Sequence, residues 1–445
     1  MKIGNRSLGT TKCTIDPGQA RACVAGLGRV AALLGMALMS ASASASANPG
    51  ALDRSFGVGG RLTTPVASSD DVGGGLALQR SGRIVVAGVA AAEDGGLLVT
   101  RLFPDGTTDE DFGSDGFELV PIALTDDAAT VALGRGGSIV VAGGAFTADG
   151  MDAVALAKFT SNGAPDSAFG VDGLSVVSKA RTLLVNDVMV ERSGRILVAA
   201  CLNDRFTVLG FTGRGQPDAT FGRGGRVTTS GPGGCANDLA RDRRGRIVAA
   251  GTAASGEAFC VVRLLPDGRV DRAFGVRGRA SIRFERGRQP AVAMAVSMGR
   301  RGTIVIGGGA RRMEDGVMAV ARLTSRGNPD RSFAGDGRRL LNVGAFSDVS
   351  DIAVQRNNKI VLTGAGWGGD HRGYDFAVAR LSGNGRLDRS FARRGKVLTQ
   401  ISKGSDVPAA VAIQPNGRIL VSGQSLPSPA VTTFSLARYQ GDPAR

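Results

Sequence analysis

The stretch Leu52-Asp53-Arg54-Ser55-Phe56-Gly57-Val58-Gly59-Gly60 decides the fold, because its pattern comes back through the chain. Asp-x-x-Phe-(Gly/Ala)-x-x-Gly starts at Asp53 with Phe56, Asp109 with Phe112, Asp166 with Phe169 and Asp218 with Phe221. It returns at Asp271 with Phe274, Asp330 with Phe333 and Asp388 with Phe391, at steps of 52 to 59 residues. Between copies a turn and a β-rich run recur, as in Gly82-Arg83-Ile84-Val85-Val86-Ala87-Gly88. A basic residue then closes a further apolar run, at Arg101, Lys158, Arg263, Arg322, Arg380 and Arg438; the third copy has Gly210 there. Each unit holds four short runs rich in Val, Ile and Leu, spaced by Gly, which is the pattern of strands. Seven units of four strands predict an all-β, seven-bladed β-propeller with antiparallel four-stranded blades over residues 48–445.

The ends of this region favour a ring over an open stack, which would need polar caps. The first unit opens with the Asp-Phe turn and one strand; the last closes at Arg438 with three strands and no such turn after them. Together they make one blade, so the strand near 61–66 is expected to pair with the strand near 431–439 and leave no open edge. The basic residue lies eight positions before the next Asp, and for Arg438 that partner is expected to be Asp53. Each Phe reads as an anchor between blades and each Asp as the cap of its turn, since a residue repeated in every blade cannot mark one active site.

These residues resemble the delta-60 repeat family of bacterial exported proteins, whose unit runs Leu-Asp-x-x-Phe-Gly-x-x-Gly, then an apolar-Gln-x-x-Gly-(Arg/Lys) turn and strand, then Arg-Leu-x-x-x-Gly. Leu52 to Gly60, Leu76 to Gly88 and Arg101 to Gly106 show the whole unit, and the resemblance covers residues 48–445. It implies a propeller-like fold and an exported bacterial protein; the family brings no activity or catalytic residues. Ala334 and Ala392 for Gly, Ala200 for the closing Gly and Gly210 for the base depart from its pattern.

Composition fits one repeated unit. Gly accounts for 68 of 445 residues, and its excess belongs to the repeated turns. A single His removes most general-base, triad and zinc chemistry from consideration. The leading segment has Lys2, Arg6, Lys12, Arg21 and Arg29 before the apolar run Val30 to Met39 and the small residues ending Ala45-Ser46-Ala47. That is the order of a cleaved secretory signal over 1–47, with Asn48 the expected new N-terminus. The destination is then secreted, periplasmic or cell-surface, with no transmembrane segment in the mature chain and a monomer expected. Removing the signal takes the formal charge from +15 to +11, because Asp16 leaves with five bases. The excess reads either as polyanion affinity or as an evenly solvated surface. Cys201, Cys235 and Cys260 remain, enough for one bridge with a free thiol or for three buried thiols.

Catalytic signatures are sparse. Gly364, Gly366 and Gly369 match Gly-x-Gly-x-x-Gly, but no helix pattern follows, so the segment reads as a hairpin loop. Two features stand out. Acidic or amide residues precede the inner strands, at Asp70, Asp71, Asp126, Asp127, Asn186, Asp187, Asn237, Asp238, Asp348, Asp351 and Asp406. Converging on the funnel, they could hold Ca²⁺ or serve a metal-assisted hydrolase or lyase; equally, they could bond the backbone of turns and of the neighbouring blade. The second is the loop from Gly364 to Asp375, which carries Trp367, His371 and Tyr374. Aromatics on a Gly-rich loop suit a sugar or a partner anchor, and a hairpin packed on its neighbour would look the same. The leading expectation is a non-enzymatic exported propeller that engages a protein or polysaccharide through loops on one face, with no cofactor.

Overall fold

The computed structural model describes residues 48–442 except 65–70, 91–94, 230–233, 254, 285–288, 313–314, 369–372 and 429–430. Its strands form seven four-stranded antiparallel sheets. In the first blade these are Asp71–Leu78, Ile84–Ala90, Gly96–Leu102 and Phe117–Pro121, with Asp71–Leu78 innermost. Successive blades span 124–180, 183–228, 236–282, 291–341 and 351–399. The seven innermost strands touch one another in sequence, and the last, Ser405–Ile413, touches the first. The array is therefore a closed seven-bladed β-propeller.

Closure follows the expected pairing. The seventh blade takes its first three strands from the C-terminal region and its outermost from Arg61–Thr64, in antiparallel register with Val431–Tyr439: Arg61 faces Ala437 and Thr64 faces Phe434. Among the described residues helix is confined to two single turns, Arg135–Gly137 and Arg300–Gly302. The second strand of each blade is apolar on both faces and buried, as at Ile84–Ala90 and Ile196–Leu202. The reason is that each blade is covered by a blade on either side, so alternation is lost.

The core is accordingly a series of clusters between blades. One joins Val248, Phe259 and Val261 of the fourth blade to Ile304, Ile306 and Val317 of the fifth, with Phe274 among them. All seven repeat Phe side chains are fully buried. Each such burial contributes about 1.5–3 kcal/mol.

Antiparallel chain direction sorts the connections. Turns from first to second strand and from third to fourth lie on one face; second-to-third hairpins and the links between blades lie on the other. The repeat motifs therefore all fall on one face, here called the turn face, and the variable loops on the other.

Candidate functional site

On the turn face each repeat Asp bonds in two directions. One carboxylate oxygen accepts the backbone N–H two residues on, as Asp218 does from Thr220 at 2.9 Å and Asp330 from Ser332 at 3.0 Å. Asp109 departs, its Oδ1 being buried with no partner. The other oxygen takes the base eight positions back: Arg101 to Asp109 at 2.7 Å, Lys158 to Asp166 at 2.9 Å, Arg263 to Asp271 at 2.9 Å, Arg322 to Asp330 at 2.8 Å and Arg380 to Asp388 at 2.8 Å. Arg438 reaches Asp53 at 2.8 Å, so the spacing rule holds across the ring's seam.

The same bases lie over the Phe anchors, from 4.5 Å for Arg263 over Phe274 to 5.6 Å for Lys158 over Phe169. A guanidinium above an aromatic face is attracted by the ring quadrupole. They also reach the next blade: Arg101 donates to the Ser161 carbonyl at 2.6 Å, and Arg438 donates to that of Pro104. Gly210 leaves the third blade without this base, and a Cβ there would strike the Phe221 ring. Arg195, from the first hairpin turn, takes over by pairing with Asp218 at 2.6 Å, lying over Phe221 and donating to the Pro266 carbonyl at 2.7 Å.

Sequence reasoning missed a second circuit. The residue after each repeat Phe donates its N–H to a carbonyl in the next blade's turn, from Gly57 to Asp105 at 2.9 Å round to Ala392, which bonds Pro49 at 2.7 Å. The backbone there is left-handed, with φ of 48° at Gly57. A Cβ at Gly57 would lie 2.3 Å from the Arg61 carbonyl oxygen, so Gly recurs; Ala334 (φ 54°) and Ala392 (φ 43°) hold the same conformation against its steric cost.

Along the axis the carboxylates behave otherwise. Asp187, Asp238 and Asp351 occupy one ladder level on three inner strands, opposite Ala199, Ala250 and Thr363. Each accepts a backbone N–H from the next blade's inner strand: Asp187 from Leu239 at 3.1 Å, Asp238 from Val296 at 2.5 Å and Asp351 from Val411 at 2.7 Å. A bulge precedes Asp187 and Asp238, and its Asn works in the opposite sense. Asn186 donates to the Ala236 carbonyl at 2.8 Å and Asn237 to that of Ala293 at 2.6 Å. Each Asn-Asp pair thus supplies a donor and an acceptor to its neighbour, the blade-to-blade alternative foreseen for these residues.

Among the described residues no cation pairs with these carboxylates, and they resist ionisation. Desolvation pushes Asp187 up to about 6. Desolvation and then repulsion from Asp187 raise Asp238, and desolvation and then repulsion from Asp238 lift Asp351 to about 7. Asp406 is buried and accepts N–H bonds from Ile401 and Ser402 inside its own turn, and Asp348 is raised by burial. Asp70 lies outside the described residues, as do the side chains of Asp71, Asp126 and Asp127. Among the described residues no three His, Cys, Asp or Glu side chains are grouped to hold a metal ion.

On the loop face, Trp367 and Tyr374 are a cross-strand pair at the end of one hairpin, ring centroids 5.3 Å apart and edge to face. His371 lies outside the described residues, as does Gly369; the flanking strands Ile360–Trp367 and Tyr374–Leu381 make the Gly-rich segment a hairpin. The preceding link runs beside it, with Trp367 N–H bonded to the Phe346 carbonyl at 2.8 Å and Ala345 N–H to that of Trp367 at 3.0 Å. Phe346 is 38% exposed, and Phe146, on the second blade's hairpin, is 52% exposed. Cys201 and Cys235 form a disulfide that ties the third blade's hairpin to the link before the fourth, and the Cys260 thiol is free, raised by burial.

With that geometry in view, four segments, residues 79–112, 137–169, 245–274 and 355–391, match the model of a domain of unknown function (DUF5122) beta-propeller. Each segment runs from the first hairpin turn to, or to the edge of, the repeat Phe. Among solved structures the chain is similar to a polysaccharide lyase, the PL25 ulvan lyase bound to -[GlcA(1-4)Rha3S]-, at 11% identity and TM-score 0.50, over 86% of this chain and 96% of that one. It is also similar to YCF48 bound to D1 peptide (11%, TM-score 0.48, 88% and 100%). A catalytically inactive virginiamycin B lyase from Staphylococcus aureus, with quinupristin, matches at 9% identity and TM-score 0.48 over 85% and 98%. At these identities the likeness is one of fold. No curated protein matches the sequence.

Proposed function

We propose that this protein is an exported, non-enzymatic propeller that binds a protein or polysaccharide partner through its loop face. The observation that carries the reading is the contrast of the two faces. The recurring bases and Phe anchors of the turn face are spent on holding blades together, whereas the loop face displays Phe146, Phe346 and the Trp367–Tyr374 edge. Aromatic rings at the end of a braced hairpin offer flat apolar area at low entropic cost to a sugar ring or a peptide side chain. The likeness of the unit to delta-60 repeats and the signal-like leader over 1–47 support export, and N-terminal sequencing of the mature protein is expected to begin at Asn48.

Calorimetry against a panel of neutral oligosaccharides and extended peptides tests the binding role. The reading expects at least one ligand whose affinity falls about tenfold or more in Trp367→Ala, the scale of an interface anchor, with little change in Tm. Affinities indifferent to Trp367 and Tyr374 would count against it. A second reading, a metal-assisted hydrolase or lyase working through Asp187, Asp238 and Asp351 with Ca²⁺ or a similar ion, rests on the repulsion that couples Asp238 to Asp187 and to Asp351. Stoichiometric divalent metal in the purified protein, with cleavage of any oligosaccharide in the panel, would favour that reading instead.

A further inference from the structure

We infer that a cleft on the rim of the third blade is a separate binding site for the anionic group of an acidic oligosaccharide, a sugar chain bearing carboxylate or sulfate. The cleft, about 420 Å³, is lined by Leu202, Asn203, Arg205, Arg223, Arg226 and Thr228. That volume is in the range of ordinary ligand sites.

The recurring bases of the turn face are held by Asp partners, and at the start of other outer strands Arg338 bonds the Arg283 carbonyl and Lys396 that of Asn342. Arg205, Arg223 and Arg226 are exposed, and among the described residues no carboxylate or carbonyl engages their guanidinium groups. An oxyanion entering the hollow would find three unengaged guanidinium groups along its lining. The planar guanidinium fork suits the paired oxygens of carboxylate and sulfate.

The scaffold beneath is fixed. The outer strand here, Arg226–Thr228, is the shortest of the seven. Arg223 N–H bonds the Arg226 carbonyl at 2.9 Å, holding those two together. Leu202 and Arg205 exchange backbone bonds at 3.1 Å across a turn in which Asn203 (φ 47°) and Asp204 (φ 57°) are left-handed. The Cys201–Cys235 disulfide anchors this turn one residue away. Asp204, the acidic residue of the turn, does not line the cleft.

The lining also indicates what carries the anion. Nucleic acid bound along a basic groove stacks its bases on aromatic rings, and none lines this cleft. Leu202 gives an apolar wall for the face of a sugar ring, while Asn203 and Thr228 give partners for hydroxyl groups. The site lies on the rim, apart from the Trp367 hairpin, and does not depend on the loop-face reading.

The test measures binding of the purified protein to oligogalacturonate and to chondroitin sulfate oligosaccharides. Binding to one or both is expected, weakening as salt rises. The triple substitution Arg205→Ser, Arg223→Ser, Arg226→Ser is expected to reduce affinity by about tenfold or more, the loss of charge-assisted bonds, with Tm unchanged. A charge-matched control, Arg192→Ser, Arg272→Ser, Arg331→Ser, removes exposed bases outside the cleft and is expected to stay within about threefold. Trp367→Ala should leave this affinity as it is, which separates failure here from failure of the loop-face reading. Absence of binding by the unaltered protein, equal losses in the two triple variants, or tighter cleft-dependent binding of a DNA oligomer would each overturn the proposal.

Discussion

Aspartate stands in two rings of this molecule and is handled oppositely in them. On the turn face, burial pushes Asp388 up, yet the Ser390 hydroxyl, Lys359 and Arg380 outweigh it and hold the carboxyl down at about 2. Asp53, Asp218, Asp271 and Asp330 are lowered against burial in the same way, by their hydroxyl, backbone and Arg partners. On the axis, Asp187, Asp238 and Asp351 also accept backbone N–H bonds, but among the described residues no guanidinium pairs with them and their levels rise. The difference is the counter-ion. A repeat that supplies its own base eight residues away yields a charged clasp, and an inner strand that supplies only neighbours like itself yields acids that ionise at higher pH.

Removing the strand that closes the ring gives the largest expected effect. Deleting residues 431–445 strips Phe434, Leu436, Arg438 and Tyr439 from the seventh blade and leaves Arg61–Thr64 without its partner strand. The cooperative thermal transition is expected to be lost; a truncated chain melting like the intact one would contradict ring closure.

Smaller effects should grade with the number of bases on each Asp. Asp271 has Arg263 at 2.9 Å and Arg246 at 3.3 Å, whereas Asp330 has Arg322, because Thr303 stands where the fourth blade's hairpin turn places Arg246. Arg322→Met strands a mostly buried carboxylate and is expected to cost about 3–5 kcal/mol by chemical denaturation. Arg263→Met should cost roughly half as much, since Arg246 remains to neutralise Asp271. Equal losses would show that the second base contributes nothing.

Much of this was legible because repetition turns one reading into seven. The Asp, Phe and Gly positions, the four strands per blade, the seam and the Arg438–Asp53 partnership all follow from the 52- to 59-residue period. What repetition does not carry was harder to see. Arg195 replaces the base missing at Gly210 from a different turn, which only the fold brings near Asp218. The cleft arginines come from a hairpin, a repeat turn and an outer strand, Arg205 and Arg223 being 18 positions apart, so no local motif brings them together. The axial Asp residues were visible as a class, but their partners are backbone N–H groups, and any residue type supplies those. Trp367 and Tyr374 were found as rare residues on a Gly-rich loop, and the register sets them opposite each other as one cross-strand pair.

The two rings also respond to pH with opposite sign. An unfolded Asp titrates near 4, so axial groups that titrate at about 6 and about 7 hold protons the unfolded chain has released. They cost stability progressively as pH rises from about 4 to about 7 and add no further change above it. Turn-face groups such as Asp388 act below that window: stability falls as pH drops from about 4 toward about 2, where the unfolded chain binds the extra protons. Asp187→Asn separates the two most directly. An amide at this position can still accept the Leu239 N–H and can donate to the Thr130 hydroxyl, while it removes a charge that opposes ionisation of Asp238. The decisive measurement is Tm of this variant and of the unaltered protein from pH 3 to 8. The account expects the variant to match or exceed the parent at pH 7.5 and to show a shallower decline between about 4 and about 7, with the acid limb unchanged. A variant several degrees less stable at pH 7.5, with the decline intact, would contradict it by showing that the fold uses Asp187 as a charged carboxylate.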